Sequence, residues 1–137
     1  MVRTPKQAPL ELEIIDVSTG TLEKRVPLPS TADLFGCEGE RNEIYISNLR
    51  VDPDTDKLYL FMTLDFPPTD HVRTSLVTYD LTSGEFTRFY TVDDIGFNEI
   101  DVIKGKLYCR CNDYEGEDWV LRVDPERDDA KWIIGGP

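Results

Sequence analysis

Residues 50–61 read RVDPDTDKLYLF, with aspartates at alternate positions 52, 54 and 56. As D-x-D-x-D, the stretch resembles the opening of a calcium-binding loop. As a turn, it joins an apolar run before Pro53 to another beginning at Leu58. The calcium alternative lacks two of its parts: no glycine stands at the sharp bend, and Thr63 fills the twelfth position, where a bidentate Glu is needed. A second copy of the neighbourhood decides between them. LRVDPDTDKLYLFM (49–62) and IDVIKGKLYCRC (100–111) share an apolar strand, a turn and Lys-Leu-Tyr. Where the first has Pro53 to Asp56, the second has only Lys104-Gly105, a two-residue hairpin turn. The aspartates are therefore turn residues.

Another unit recurs around these. LELEIIDVSTGTLEKRVPL (10–28), SLVTYDLTSGEFTRFYTV (75–92) and WVLRVDPERDDAKWIIGG (119–136) each place an aspartate (Asp16, Asp80, Asp124) between an apolar run and a polar turn. In the first two copies, Gly20 and Gly84 can take positive φ while the aspartate side chain bonds the amides of the turn. These are β-hairpin signals. The predicted strands are 10–17, 21–28, 43–51, 57–64, 74–81, 85–92, 98–103, 106–111, 118–124 and 130–134. A single turn of helix, capped at both ends, is predicted over Ser30–Gly36.

The bulk composition agrees with one all-β domain over residues 1–137. Apolar residues make up 39% of the chain, enough for a core. Fifteen basic against 27 acidic residues give a net charge of −12, which repels phosphate backbones and anionic lipid. The expected partner is a protein or basic peptide, not nucleic acid or membrane. The start, MVRTPKQAPLELE, lacks the apolar core of a signal peptide, and Leu58–Met62 is too short an apolar run to span a bilayer. The three cysteines, Cys37, Cys109 and Cys111, form an odd set that suits free thiols in a reducing compartment, the cytoplasm. Cys109 and Cys111 share one strand face as buried structural residues, and Trp119 and Trp132 read as core.

A four-strand antiparallel unit whose second strand opens with Lys-Leu-Tyr and whose third closes with Asp-x-x-[Ser/Thr]-Gly resembles a blade of a β-propeller. The resemblance covers a half blade at 10–28 and blades at 43–92 and 98–134, but neither the paired glycines of kelch repeats nor a Trp-Asp ending is present. It implies a partial propeller, with a β-sandwich or irregular barrel as the alternative fold. Propellers close with four to eight blades. The units present imply a piece of a longer propeller, a ring closed by several chains as a homo-oligomer, or ten strands folding alone. The last is the least favourable, because it leaves blade edges open.

Alternate connections of such a meander lie on one rim. The short ones are 18–20, 52–56, 82–84, 104–105 and 125–129, and the long ones are 29–42, 65–73, 93–97 and 112–117. Ten carboxylates fall in the long set against Arg41, Arg73 and the only histidine, His71. Loops carry function more often than the strands that hold them. The candidate binding residues are Phe66, Asp70, His71, Asp93, Asp94, Phe97, Tyr114 and Glu117, apolar anchors ringed by negative charge. No nucleophile elbow, glycine-rich phosphate cradle or His-rich metal set is present, and no cofactor is expected. The functional expectation is a non-enzymatic interaction scaffold. Its alternatives are part of a metal-assisted propeller hydrolase, with Asp93, Asp94 and Glu117 as ligands, and an oligomeric sugar-binding propeller.

Overall fold

The computed structural model describes residues 11–39, 43–69, 71–112, 115–127 and 129–136. It is all-β and antiparallel. The strands are β1 (Glu11–Asp16), β2 (Thr21–Pro27), β3 (Ile44–Asp52), β4 (Lys57–Asp65), β5 (Val72–Asp80), β6 (Phe86–Asp93), β7 (Gly96–Ile103), β8 (Lys106–Asn112), β9 (Asp118–Asp124) and β10 (Asp129–Ile134). The helix α1 (Thr31–Phe35) lies between β2 and β3. Each strand falls within two residues of its predicted span. The largest differences are at β5 and β7, which each begin two residues early.

Three sheets result: β1-β2, β3-β4-β5-β6 and β7-β8-β9-β10, the last two being simple four-strand meanders. The turns that separate their strands are those read from the sequence. Asp52 is buried, and its carboxylate accepts from the Asp54 amide (3.1 Å) and the Thr55 hydroxyl (2.9 Å), while Asp56 takes φ 55°. In the matching hairpin, Lys104 and Gly105 are both left-handed (φ 52° and 77°), as a type I′ turn requires. Asp16 accepts from the Ser18 amide, and Asp80 from those of Thr82 and Ser83. In both turns a glycine amide then closes onto the aspartate carbonyl, Gly20 to Asp16 and Gly84 to Asp80.

The sheets stack face to face, and the middle one is covered on both sides. On one face, Leu58, Leu60, Met62 and Leu64 of β4 share a core with Val77, Tyr79, Leu12 of β1, and Leu34 and Phe35 of α1. On the other, Tyr59, Phe61 and Leu76 share a core with Ile100, Leu107, Cys109, Cys111, Leu121 and Val123 of the third sheet. A strand buried on both faces cannot alternate apolar with polar residues, and KLYLFMTL accordingly runs almost unbroken. The outer face of the third sheet is different in kind. Glu99 pairs with Arg110, and Asp101 with Tyr108 and then Arg122, a charged row suited to water.

The remaining contacts close the stack. Trp119 and Trp132 meet edge-on (5.5 Å, 79°), and the Trp132 indole donates to the Tyr90 hydroxyl across the sheet boundary (3.0 Å). Both tryptophans lie at the margin of the second core. The three cysteines are unbridged. No helix among the described residues is long and apolar enough to cross a membrane.

Candidate functional site

Parts of three long connections meet at one end of the second sheet: the end of α1, the β4–β5 loop and the β6–β7 link. The β4–β5 loop is compact: the Phe66 amide donates to the His71 carbonyl (3.2 Å), and the Thr69 amide donates back to the Phe66 carbonyl (3.0 Å). Beside it, Asp94 and Ile95 alone carry the chain from β6 in the second sheet to β7 in the third. So short a link needs a sharp reversal, and Asp94 supplies it with φ 61°. Aspartate tolerates this left-handed conformation better than most residues. Its amide donates to the Val72 carbonyl (2.9 Å), and its carboxylate accepts from the Val72 amide (3.2 Å) and faces His71 Nδ1 (3.2 Å).

Arg73 gathers the neighbouring pieces. Its Nε and Nη2 donate to the two carboxylate oxygens of Asp93 (2.6 and 3.2 Å), and its Nη1 reaches the Phe35 carbonyl at the end of α1 (3.4 Å). Hydrogen bonding to Asp93 pushes the Arg73 guanidinium pKa up. The helix itself is held by Ser30, whose hydroxyl accepts from the Asp33 amide, and ended by Gly36 at φ 72°. A side chain at Gly36 would come within 2.6 Å of Arg88, so the glycine lets the loop lie close against β6.

These contacts enclose a notch of about 130 Å³ walled by Phe66, His71, Val72, Arg73, Asp93 and Asp94. Four of the eight sequence candidates, Phe66, His71, Asp93 and Asp94, are thus brought together. Phe97 is not a loop residue. It lies in β7, 7% exposed, with its ring 4.3 Å from that of Phe61, because β7 begins at Gly96 and pairing with Cys111 turns Phe97 inward. Glu117 sits in the β8–β9 connection and does not line the notch. Asp70 and Tyr114 lie outside the described residues.

A wider hollow of about 410 Å³ lies next to it, lined by Phe35, Gly36 and residues 88–91 of β6. Arg88, Phe89 and Tyr90 were not among the sequence candidates, because they read as ordinary strand. A signal was present, since Phe86, Phe89 and Tyr90 break the period-two pattern. The ladder slips there, with Leu76 opposite Tyr90 but Val77 opposite Arg88.

The chemistry available at the notch is ionic and aromatic. No hydroxyl or thiol side chain lines it among the described residues. The Asp93 and Asp94 carboxylates engage Arg73 and His71 respectively. Among the described residues, no group of three or more His, Cys, Asp or Glu side chains is placed to hold a metal ion. No protein-family model, curated protein or solved structure matches this chain.

Proposed function

We propose that this chain is a non-enzymatic interaction module, a stack of propeller-like blades that presents its long-loop rim to a protein or basic, aromatic-bearing peptide. The observation that carries the reading is the notch at Phe66, where an apolar wall stands beside the Asp93 and Asp94 carboxylates. A net charge of −12 supplies long-range attraction for a cationic partner. Arg73 and His71 hold the two carboxylates in place, so the rim is organised before a partner arrives, which lowers the entropic cost of docking. The unbridged thiols suit a reducing compartment such as the cytoplasm.

The test is titration with a panel of fluorescent peptides combining lysine or arginine with an aromatic residue, at low and high salt. Binding should weaken with salt, because screening reduces the attraction between exposed charges. Phe66→Ala should cost more affinity than Asp94→Asn. Binding that maps instead to the short turns at 18–20 or 82–84, with the rim variants indifferent, would overturn the reading.

A further inference from the structure

The second and third sheets repeat one another at their inner edges. Val51 pairs with Leu58 as Val102 pairs with Leu107, and Leu49 with Leu60 as Ile100 with Cys109. In the third sheet this row is covered: Ile100 is 3% exposed and shares a core with Tyr59 and Phe61 of β4, and Val102 is partly buried against the same core. In the second sheet the equivalent Leu49 and Val51 are 46% and 50% exposed. The residue types match, so the difference lies in what covers them.

Burial across the second sheet shows where the cover ends. Tyr79 and Val77 on β5 are buried beneath the β1–β2 layer, Leu58 and Leu60 on β4 remain buried, and their row partners on β3 are open. By its Asp-turn-Gly ending, β1 is the counterpart of β5. Whereas β5 has β4 beside it, β1 pairs with β2 alone among the described residues. Between that open edge and β3 runs an apolar groove of about 240 Å³, walled by Leu12, Ile14, Leu49, Val51, Leu58 and Leu81.

We infer that this groove receives an extended strand from a partner polypeptide, added to the open edge of β1, with aromatic side chains at alternate positions standing where Tyr59 and Phe61 stand in the next layer. Strand addition supplies main-chain hydrogen bonds to an unpaired edge, and alternate side chains supply the selectivity. The side-chain chemistry follows from the equivalent groove, which this chain fills with Tyr59 and Phe61. Charge sets the flanks. Glu13 lines the groove, Glu11 and Glu13 share a single cation, Arg25 (3.7 and 3.6 Å), and the whole chain carries −12. A strand with lysine or arginine at its ends complements this. Residues 1–10 hold two prolines and no aromatic residue, and a second copy has its Tyr59 and Phe61 already buried in its own core and brings a further −12, so neither offers such a strand. The surface is separate from the rim at Phe66, and either can fail without the other.

The probe is a synthetic peptide alternating threonine with tyrosine or phenylalanine and capped by lysines, titrated onto the full chain. Its control has the same composition with the aromatics consecutive. The alternating peptide should bind and protect β1 amides from hydrogen exchange, with the control about tenfold weaker or worse. Leu49→Lys and Val51→Lys, at half-exposed positions, should each weaken binding by about tenfold while leaving the melting temperature in place. In the Phe66→Ala chain, whose rim no longer holds a peptide of this kind, the protection of the β1 amides should persist unchanged. Equal protection of the β1 amides by both peptides, or protection that survives both lysine variants, would overturn the proposal. So would failure to bind together with a lowered Tm in Leu49→Lys, which would show the groove already filled by residues 1–10. A dimer that Leu49→Lys dissociates would assign the groove to a second copy and overturn it as well.

Discussion

Arg73 and Asp93 face each other across β5 and β6 as a two-point ion pair, and the same guanidinium holds the last carbonyl of α1 at Phe35. One side chain therefore ties the long β2–β3 connection to the sheet end. Asp93 is more than half exposed, so the pair alone is worth ~1 kcal/mol or less after solvent screening. Arg73→Ala should destabilise more than Asp93→Asn in urea unfolding, because it also releases Phe35. Equal effects would mean that the α1 contact contributes nothing.

The turn at 52–57 should respond very unequally to substitution. Asp52→Ala removes a buried acceptor for two donors and should cost about 1–3 kcal/mol. Asp56→Gly should be neutral or stabilising by about 0.5–1 kcal/mol, since glycine takes φ 55° without strain. Changing Asp52, Asp54 and Asp56 together to Asn should leave any Ca²⁺ response of the melting temperature unaltered. A Ca²⁺ shift that vanishes in this variant would reinstate the metal-loop reading.

Phe97→Ala should damage folding first and recognition only through it. The ring is packed on Phe61 in the second core, and its removal should cost about 3–5 kcal/mol. Denaturant midpoints decide this. A well-folded Phe97→Ala chain that has lost partner binding would return the residue to the rim.

Cys109 and Cys111 should remain unreactive to thiol reagents until the chain unfolds, whereas half-buried Cys37 should react first. Burial pushes the Cys109 thiol far up, helped by the nearby Cys111 and Asp101, and burial pushes Cys111 up to about 12. Folding therefore favours the protonated thiols. That stability is fully present below the unfolded thiol pKa, near 9, and is lost as pH rises toward the folded values. Melting temperature should fall through this alkaline window. Reaction of all three thiols at one rate in the native protein would contradict the packing.

The acid limb has the opposite sign. The Ser18 side chain and amide hold Asp16 low, and the Ser83 and Thr82 amides hold Asp80 low. Their contribution is present above the unfolded carboxylate pKa of 3.8 and disappears as pH falls through the lowered folded values. Asp80→Asn should flatten the pH dependence of Tm in that range. An unchanged profile would show that the turn bonds do not discriminate charge.

How much of this was legible depends on the scale of the signal. Lys57-Leu58-Tyr59 and its repeat at 106–108, with the Asp-turn-Gly endings, expose the hairpins because turn chemistry is local. Phe97 was misplaced because strand start and loop end differ there by two residues, a distance that pattern reading does not resolve. The open face at Leu49 and Val51 could not be read at all. Their alternation points inward as clearly as that of Ile100 and Val102, and only the absence of a covering strand among the described residues makes them exposed. The rim notch was half legible: parity gathers the loops, but the bridging role of Arg73 depends on where α1 ends.

The double burial of β4 bears on how the chain finds its alignment. In a strand with one wet face, a slip of a single residue throws every apolar side chain into water, and that penalty guards the register. Here the Leu58, Leu60, Met62, Leu64 set and the Tyr59, Phe61 set would merely exchange sides, both landing in oil. The most deeply buried of the described strands therefore carries little information about its own alignment. That information resides at its ends: in the Asp52 turn, and in the irregularity between Ile46 and Asn48 on its neighbour. A residue inserted between Pro53 and Asp56 would leave the core almost as greasy as before and offer it a second solution.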